Sequence, residues 1–313
     1  MPFTAKSGKF NASINTVEFG TGDKAVKIGG ENVFPLYSFD AAIENAPKVG
    51  IEITDFGMEH EPECIKKYYE GCATLADMAR KAASMEGVDF LSFRMEGGDP
   101  NGVNKSTEEL IGELKEIADA VDLPLVVCGC KNVEKDAELF SKAAEALNGK
   151  NAVILSAKEE NYKTVGAAAG LAYKQIVGAE SAVDINLAKQ LNVLISQLGV
   201  DSKSVVMNVG SAAVGYGFEY VISTMDRVKA AALQQGDANL QMPIITPVAS
   251  EAWGVKEAMA SETDAPEWGS QEERGIDMEV ETAMAVIAAG SNAVILKHPE
   301  SIKIISGLMK ELV

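Results

Sequence analysis

Pro124-Leu125-Val126-Val127-Cys128-Gly129, followed by Cys130-Lys131-Asn132 and then by Val133, Ala137, Phe140, Ala144 and Leu147 at helical spacing, forms one strand–loop–helix unit. A valine-rich apolar run bounded by proline and glycine reads as a buried strand. Asn132 is placed to cap the following helix and Gly149 to end it. The unit recurs along the chain. Strand-like runs at 49–53, 88–93, 124–129, 152–156, 175–179, 204–209, 243–248 and 292–297 alternate with stretches of 3.6-residue periodicity. Ser106-Thr107-Glu108-Glu109 reads as a capping box, ahead of a helix with Leu110, Leu114, Ile117 and Val121 on one face. Pro299 suits the first turn of the last helix, whose inward face is Ile302, Ile305, Met309 and Leu312.

Eight strands, each followed by a helix, over residues 49–313 predict a (β/α)8 TIM barrel. An open doubly wound sheet normally carries a glycine-rich turn after its first strand. Gly20-Thr21-Gly22 and Gly215-Tyr216-Gly217 do not fit that turn. Residues 1–48 have a different composition, rich in Gly, Asn, Thr and Phe, and Ala25-Val26-Lys27-Ile28 runs into a Gly29-Gly30 turn. They predict an N-terminal β-hairpin extension that caps some part of the barrel.

The 313 residues carry 46 Asp and Glu against 28 Lys and Arg, a net charge of −18, which disfavours nucleic acid and anionic membrane surfaces as partners. No apolar run reaches the length of a spanning helix, and Met1 to Gly8 lacks the apolar core of a secretory signal, so the expected location is the cytoplasm. Cys64, Cys72, Cys128 and Cys130 form no C-x-x-C, and the only histidines are His60 and His298. Zinc-ribbon and ferredoxin spacings are therefore absent, and the cysteines are expected in buried surroundings.

In a barrel, function belongs to the loops after the strand C-termini. Several residues there invite a chemical role, each with a structural alternative. Glu96 and Asp99 suit an acid–base pair or a cation site, or simply a polar turn; Lys297 suits a Schiff base only if its pKa is depressed. Asp184 and Asn186 are caps or mouth residues, His298 is a cap or a ligand contact, and Arg274 is a mouth residue or a partner of Glu251 or Glu273. The loop after the sixth strand, Asn208 to Gly217, is rich in small residues that let a bulky ligand approach the backbone. Trp253 and Trp268 lie in the next βα segment. No nucleophile–base pair, histidine cluster or phosphate cradle is evident, so binding is expected ahead of catalysis, with no catalytic or metal-ligating residue assigned.

Asp184-Ile185-Asn186-Leu187-Ala188-Lys189-Gln190-Leu191-Asn192, Gly215-Tyr216-Gly217-Phe218-Glu219-Tyr220, Glu251-Ala252-Trp253, Trp268-Gly269 with Glu273-Arg274-Gly275, and His298-Pro299-Glu300 occur in that order. With these the chain resembles the small (delta) subunit family of the corrinoid iron–sulfur protein of the acetyl-CoA pathway, also called acetyl-CoA decarbonylase/synthase delta. The resemblance implies a barrel related to pterin-binding methyltransferases. It also implies a large partner subunit with a [4Fe–4S] cluster and a corrin-binding domain, and cobalamin held between that domain and this barrel's mouth. Methyl groups would come from methyltetrahydrofolate on a separate methyltransferase and go to the nickel site of acetyl-CoA synthase. Neither His60 nor His298 lies in an Asp-x-His-x-x-Gly element, so a histidine ligand to cobalt is not expected from this chain. Placed by position, the expected cofactor contacts are Asn208, Gly210, Ser211, Gly215, Tyr216 and Gly217 near the corrin edge, with Asp184, Asn186, Arg274 and His298 around the mouth. A self-sufficient pterin-dependent methyltransferase, with Asn208 on the pterin, is the competing expectation, and an aldolase-like lyase using Lys297 is a third.

Overall fold

Eight parallel strands close into a barrel in a computed structural model that describes residues 8–313. Residues 1–7, most of the segment read above as lacking a signal, lie outside the described part. A two-stranded antiparallel hairpin, β1 (Val17–Phe19) and β2 (Val26–Ile28), precedes the barrel. The barrel strands are β3 (Lys48–Thr54), β4 (Phe90–Arg94), β5 (Leu125–Cys128), β6 (Val153–Ala157), β7 (Ile176–Glu180), β8 (Val205–Asn208), β9 (Ile244–Pro247) and β10 (Ser291–Leu296), which closes on β3. All eight lie within two residues of the positions expected from the sequence.

The outer helices follow in turn: α1 (Leu75–Ala83), α2 (Thr107–Ala120), α3 (Val133–Ala146), α4 (Tyr162–Val165, prolonged by a π-helical stretch Gly166–Ala172), α5 (Ile185–Gln197), α6 (Phe218–Leu233), α7 (Gln271–Ala289) and α8 (Pro299–Leu312). Their starts are chemically marked. Ser106 accepts from Glu109 N (3.1 Å) and Asn132 from Lys135 N (3.0 Å), as their side chains predict. The reciprocal capping box forms elsewhere, between Thr74 and Asp77. Two faces differ from expectation. On α3 the buried stripe is Leu139, Phe140, Ala143 and Ala144, with Val133 and Ala137 only half-buried, and on α8 Leu312 is exposed at the chain end.

Alternation along the strands divides the core in two. Outward-facing Ile51, Ile53, Leu91, Phe93, Val127 and Ile154 meet the helices, whereas Phe90, Val126, Val153, Ile176, Val206 and Ile295 fill the barrel interior with the hairpin residues Val17, Phe19 and Ile28. Gly50 makes room for this filling, because a Cβ there would enter the Phe90 ring. Phe19 meets Phe90 edge-on, ring centroids 5.5 Å apart, and Asn151 binds the Glu18 carbonyl (2.9 Å). The hairpin therefore seals the N-terminal end of the barrel. A buried ion pair reinforces the seal: Lys229 Nζ of α6 lies 2.9 Å from Glu31 Oε1, and Asn292 Nδ2 donates to the same oxygen (2.8 Å). Burial works to raise the Glu31 pKa; Lys229 and Asn292 outweigh it and hold the carboxyl below its ordinary value.

The corner from β10 into α8 settles the place of His298. Glu279 of α7, fully buried, accepts the N–H groups of Lys297 (2.6 Å) and His298 (3.1 Å). His298 Nδ1 accepts from Glu300 N (3.2 Å) as the cap of α8, and its ring stacks on Trp253. It is a buried structural residue, not a mouth residue.

Replacing Lys229 with Met leaves Glu31 buried and unpaired, and is expected to cost about 3–5 kcal/mol in urea unfolding; a loss below about 1 kcal/mol would contradict the anchoring role. Burial pushes the His298 imidazole down to about 4 from an ordinary 6.5. Between those values the unfolded chain takes a proton that the folded chain refuses, so the His298 contribution to stability is intact above pH 6.5 and is lost as pH falls toward 4. A shift of this size is worth about 3 kcal/mol. His298→Asn, which retains a capping oxygen, should therefore lose less stability than the parent between pH 7.5 and 4.5; parallel pH profiles would refute this.

Candidate functional site

Toward their C-terminal ends the strands change what they point inward. Glu52, Arg94, Cys128, Ser156, Glu180 and Asn208 follow apolar residues on the same face two or more positions earlier. Glu52 and Arg94 form the floor of the mouth. Arg94 Nε donates to Glu52 Oε2 (3.0 Å), with Nη2 2.9 Å from the same oxygen, and both side chains are buried. Burial opposes the guanidinium charge, but the Glu52 carboxylate outweighs it and keeps Arg94 protonated.

Above this floor lies an open cavity of about 280 Å³, lined by Arg94, Ser156, Lys158, Glu180, Asn208 and Ser211 among others. Asn208 Nδ2 donates to Ser156 Oγ (3.0 Å), and its Oδ1 accepts from Gly210 N (3.1 Å). Two ion pairs stand on the wall, Lys158 with Glu180 (3.3 Å) and Lys131 with Glu251 (3.1 Å), while Asp136 accepts from Cys130 N (2.8 Å). Beside the floor, Lys297 Nζ binds Glu61 Oε1 (2.8 Å). Burial would depress its pKa, yet Glu61, with Glu52 and Glu96 nearby, raises it. Lys297 is a paired ammonium and not the neutral amine a Schiff base requires.

Burial pushes the thiols of Cys128 and Cys130 up, to about 11 and about 12, so neither is a thiolate at neutral pH. Asp99 accepts from Asn101 N (2.9 Å), which makes the Glu96–Asp99 segment a self-bonded turn. Among the described residues no group of three or more His, Cys, Asp or Glu is placed to hold a metal ion. No helix among them is long and apolar enough to cross a membrane.

Of the ten contacts proposed from sequence, Asn208, Gly210 and Ser211 line the cavity. Gly215 (φ +86°), Tyr216 and Gly217 (φ +80°) follow in the same loop but are not part of the lining; Gly215 and Tyr216 are exposed and Gly217 is partly so. Tyr216 is half exposed, and its hydroxyl donates to Glu257 Oε2 (2.6 Å). The other four lie away from the cavity lining. Asp184 caps α5 by accepting from Asn186 N (2.7 Å) and Leu187 N (3.1 Å), and Asn186 is exposed on the first turn. Arg274 pairs with neither Glu251 nor Glu273: its Nη2 donates to the Ala260 carbonyl (2.6 Å) and its guanidinium covers the Trp268 ring at 5.6 Å. His298 is the buried cap already described. Arg94, Ser156, Lys158 and Glu180 line the cavity but were not proposed from sequence. Period-two counting up β4 from Phe90 through Ser92 to Arg94 was the signal that places Arg94 inside.

Comparison with known proteins converges on one family. The family model of the CO dehydrogenase/acetyl-CoA synthase delta subunit matches residues 16–309. The acetyl-CoA decarbonylase/synthase complex subunit delta of Methanothermobacter thermautotrophicus is 31% identical over 299 residues, covering 95% of this chain and 75% of that protein. Subunit delta 1 of Methanosarcina thermophila is 29% identical over 300 residues, covering 94% and 67%. Among solved structures, dihydropteroate synthase from Thermus thermophilus, in complex with 4-aminobenzoate, superposes with a TM-score of 0.56 at 13% identity, over 95% of this chain and all of that one. That likeness is one of fold. With the family match spanning nearly the whole barrel and hairpin, the chain belongs to the CO dehydrogenase/acetyl-CoA synthase delta subunit family.

Proposed function

We propose that this chain is the small subunit of a heterodimeric corrinoid iron–sulfur protein, a methyl carrier of the acetyl-CoA pathway. A large partner subunit holds the [4Fe–4S] cluster and the corrin-binding domain, and cobalamin lies between that domain and the mouth described above. The observation that carries the reading is the shape of the mouth: an open polar bowl floored by the buried Arg94–Glu52 ion pair. At about 280 Å³ the bowl is too small to admit a tetrapyrrole but suits a macrocycle resting on its rim.

The residues present fit such a group. Gly215 has nothing within 4 Å of where a Cβ would stand, and Tyr216 and Tyr220 are 50% and 67% exposed beside it, offering aromatic surface to a flat ligand. Bound cobalt supplies the methyl-transfer chemistry, with methyltetrahydrofolate on its methyltransferase as donor and the nickel site of acetyl-CoA synthase as acceptor. The chain's own contribution is mechanical and electrostatic. The rim orients the macrocycle, the bowl excludes bulk water from one face, and the Arg94–Glu52, Lys158–Glu180 and Lys131–Glu251 pairs hold the opposite charges of the mouth close together.

Gly215 and Gly217 are poor probes of the rim, since their left-handed backbone strains any larger residue. The exposed tyrosines are cleaner. Tyr216→Ala with Tyr220→Ala should leave the melting temperature of the chain within about 2 °C. Corrinoid retained by the complex with the large subunit should fall about tenfold or more, as expected for lost aromatic anchors. Unchanged corrinoid content would contradict the reading. So would tight methyltetrahydrofolate binding by the isolated chain with methyl transfer to free cobalamin, the mark of a self-sufficient methyltransferase.

A further inference from the structure

The longest excursion between a barrel strand and its helix follows β9, where residues 248–270 separate Pro247 from α7. It lies at the same end of the barrel as the bowl, and its Glu251 lines the cavity. The segment is pinned rather than loose. Gln271 Nε2 donates to the Met259 carbonyl (2.9 Å), Arg274 Nη2 to the Ala260 carbonyl (2.6 Å) and Gln271 N to Glu262 Oε1 (3.2 Å). Gly275 of α7 sits so close to Trp253 that a Cβ there would enter its ring. A surface fixed in this way loses little freedom when something docks on it.

What the segment turns outward is apolar and acidic. Met259 and Trp268 are exposed, and Tyr216 joins them from the loop after β8 through its hydroxyl on Glu257 (2.6 Å). Residues 255–277 hold seven Asp and Glu against two cations, a far denser negative charge than 46 against 28 in the whole chain. Both of those cations, Lys256 and Arg274, lie over the Trp268 ring, at 5.3 and 5.6 Å from its centroid. Glu272 pairs with Lys67, but no ion pair among the described residues engages Glu262, Glu267, Glu273 or Asp277. An exposed Trp and Met ringed by charge have the composition of a protein interface. Carboxylates that the chain leaves without cations repel one another and are complemented by a positively charged face. We propose that this segment docks a basic face of the corrin-bearing large subunit, with Trp268 and Met259 as its apolar contacts and the acids around them steering the approach. The proposal rests on the function proposed above and adds where, and by what charge, the partner is held.

Binding kinetics of the full chain with the corrinoid-loaded large subunit, measured from 50 to 300 mM NaCl, test it. Glu267 and Glu273 are exposed, so Glu267→Gln with Glu273→Gln should melt as the parent does. This variant should associate about 3- to 10-fold more slowly at 50 mM NaCl, and Glu267→Lys with Glu273→Lys more slowly still, the differences closing as salt screens them. Trp268→Ala should speed dissociation about tenfold at every salt concentration, the mark of a lost apolar anchor. If the parent binds and all three variants match it in both rates and in salt dependence, the docking site is overturned while the proposed function stands. Slowed association with the methyltransferase or acetyl-CoA synthase, and not with the large subunit, would overturn the large subunit as occupant. If the large subunit does not bind the parent at all, the proposed function fails and this proposal fails with it.

Discussion

The structure turns on the Glu52–Arg94 pair inside the barrel. These side chains project from neighbouring strands in register, Thr54 lying beside Arg94, and they meet where the apolar filling of the barrel stops. Below them the interior is Phe90, Val126, Val153 and Ile176, closed from beneath by Phe19. Above them it is polar and open. Removing either partner would leave an uncompensated charge in a dry interior, which makes the pair a fixed boundary and sets how deep anything can enter from the mouth.

That boundary gives the two ends of the barrel different chemistry. At the N-terminal end a hairpin, a buried lysine and a buried glutamate seal the cylinder. At the C-terminal end, Lys131 pairs with Glu251 and Lys158 with Glu180, and exposed aromatic rings stand in the segment after β8. A surface of this kind suits holding a bulky ligand by shape and polar contacts.

Much of this was legible in the sequence. The apolar runs that became β3 to β10 are short, rich in β-branched residues and punctuated by Gly, Pro and Asn, so local chemistry and the global fold agree. The hairpin was readable from Ala25 to Gly30, although its target, the floor of the barrel, was not. Asn208, Gly210 and Ser211, expected at the mouth from their place at the end of the sixth barrel strand, line its cavity. His298 and Arg274 were misplaced because loop position says nothing about burial. His298 is drawn inside by Glu279, a residue 19 positions earlier, and Arg274 is held by the Ala260 carbonyl and Trp268. Asp184 illustrates the competition between roles, since a carboxylate ahead of a helix finds backbone N–H groups before it finds a ligand. The lining residues Arg94 and Glu180 escaped notice because they are the last residues of strands, where alternation and not loop position decides direction, and Ser156 because it lies within its strand.

The central claim is that the open end of this barrel, and not its sealed end, meets the corrin-bearing partner. Amide hydrogen exchange on the full chain, alone and in complex with the corrinoid-loaded large subunit, tests it most directly. The account predicts new protection in the loop from Asn208 to Gly217 and around Ser250 to Met259, with exchange in the hairpin from Val17 to Ile28 unchanged. Protection confined to the hairpin and the strand N-termini, with the mouth loops exchanging as in the free chain, would contradict it.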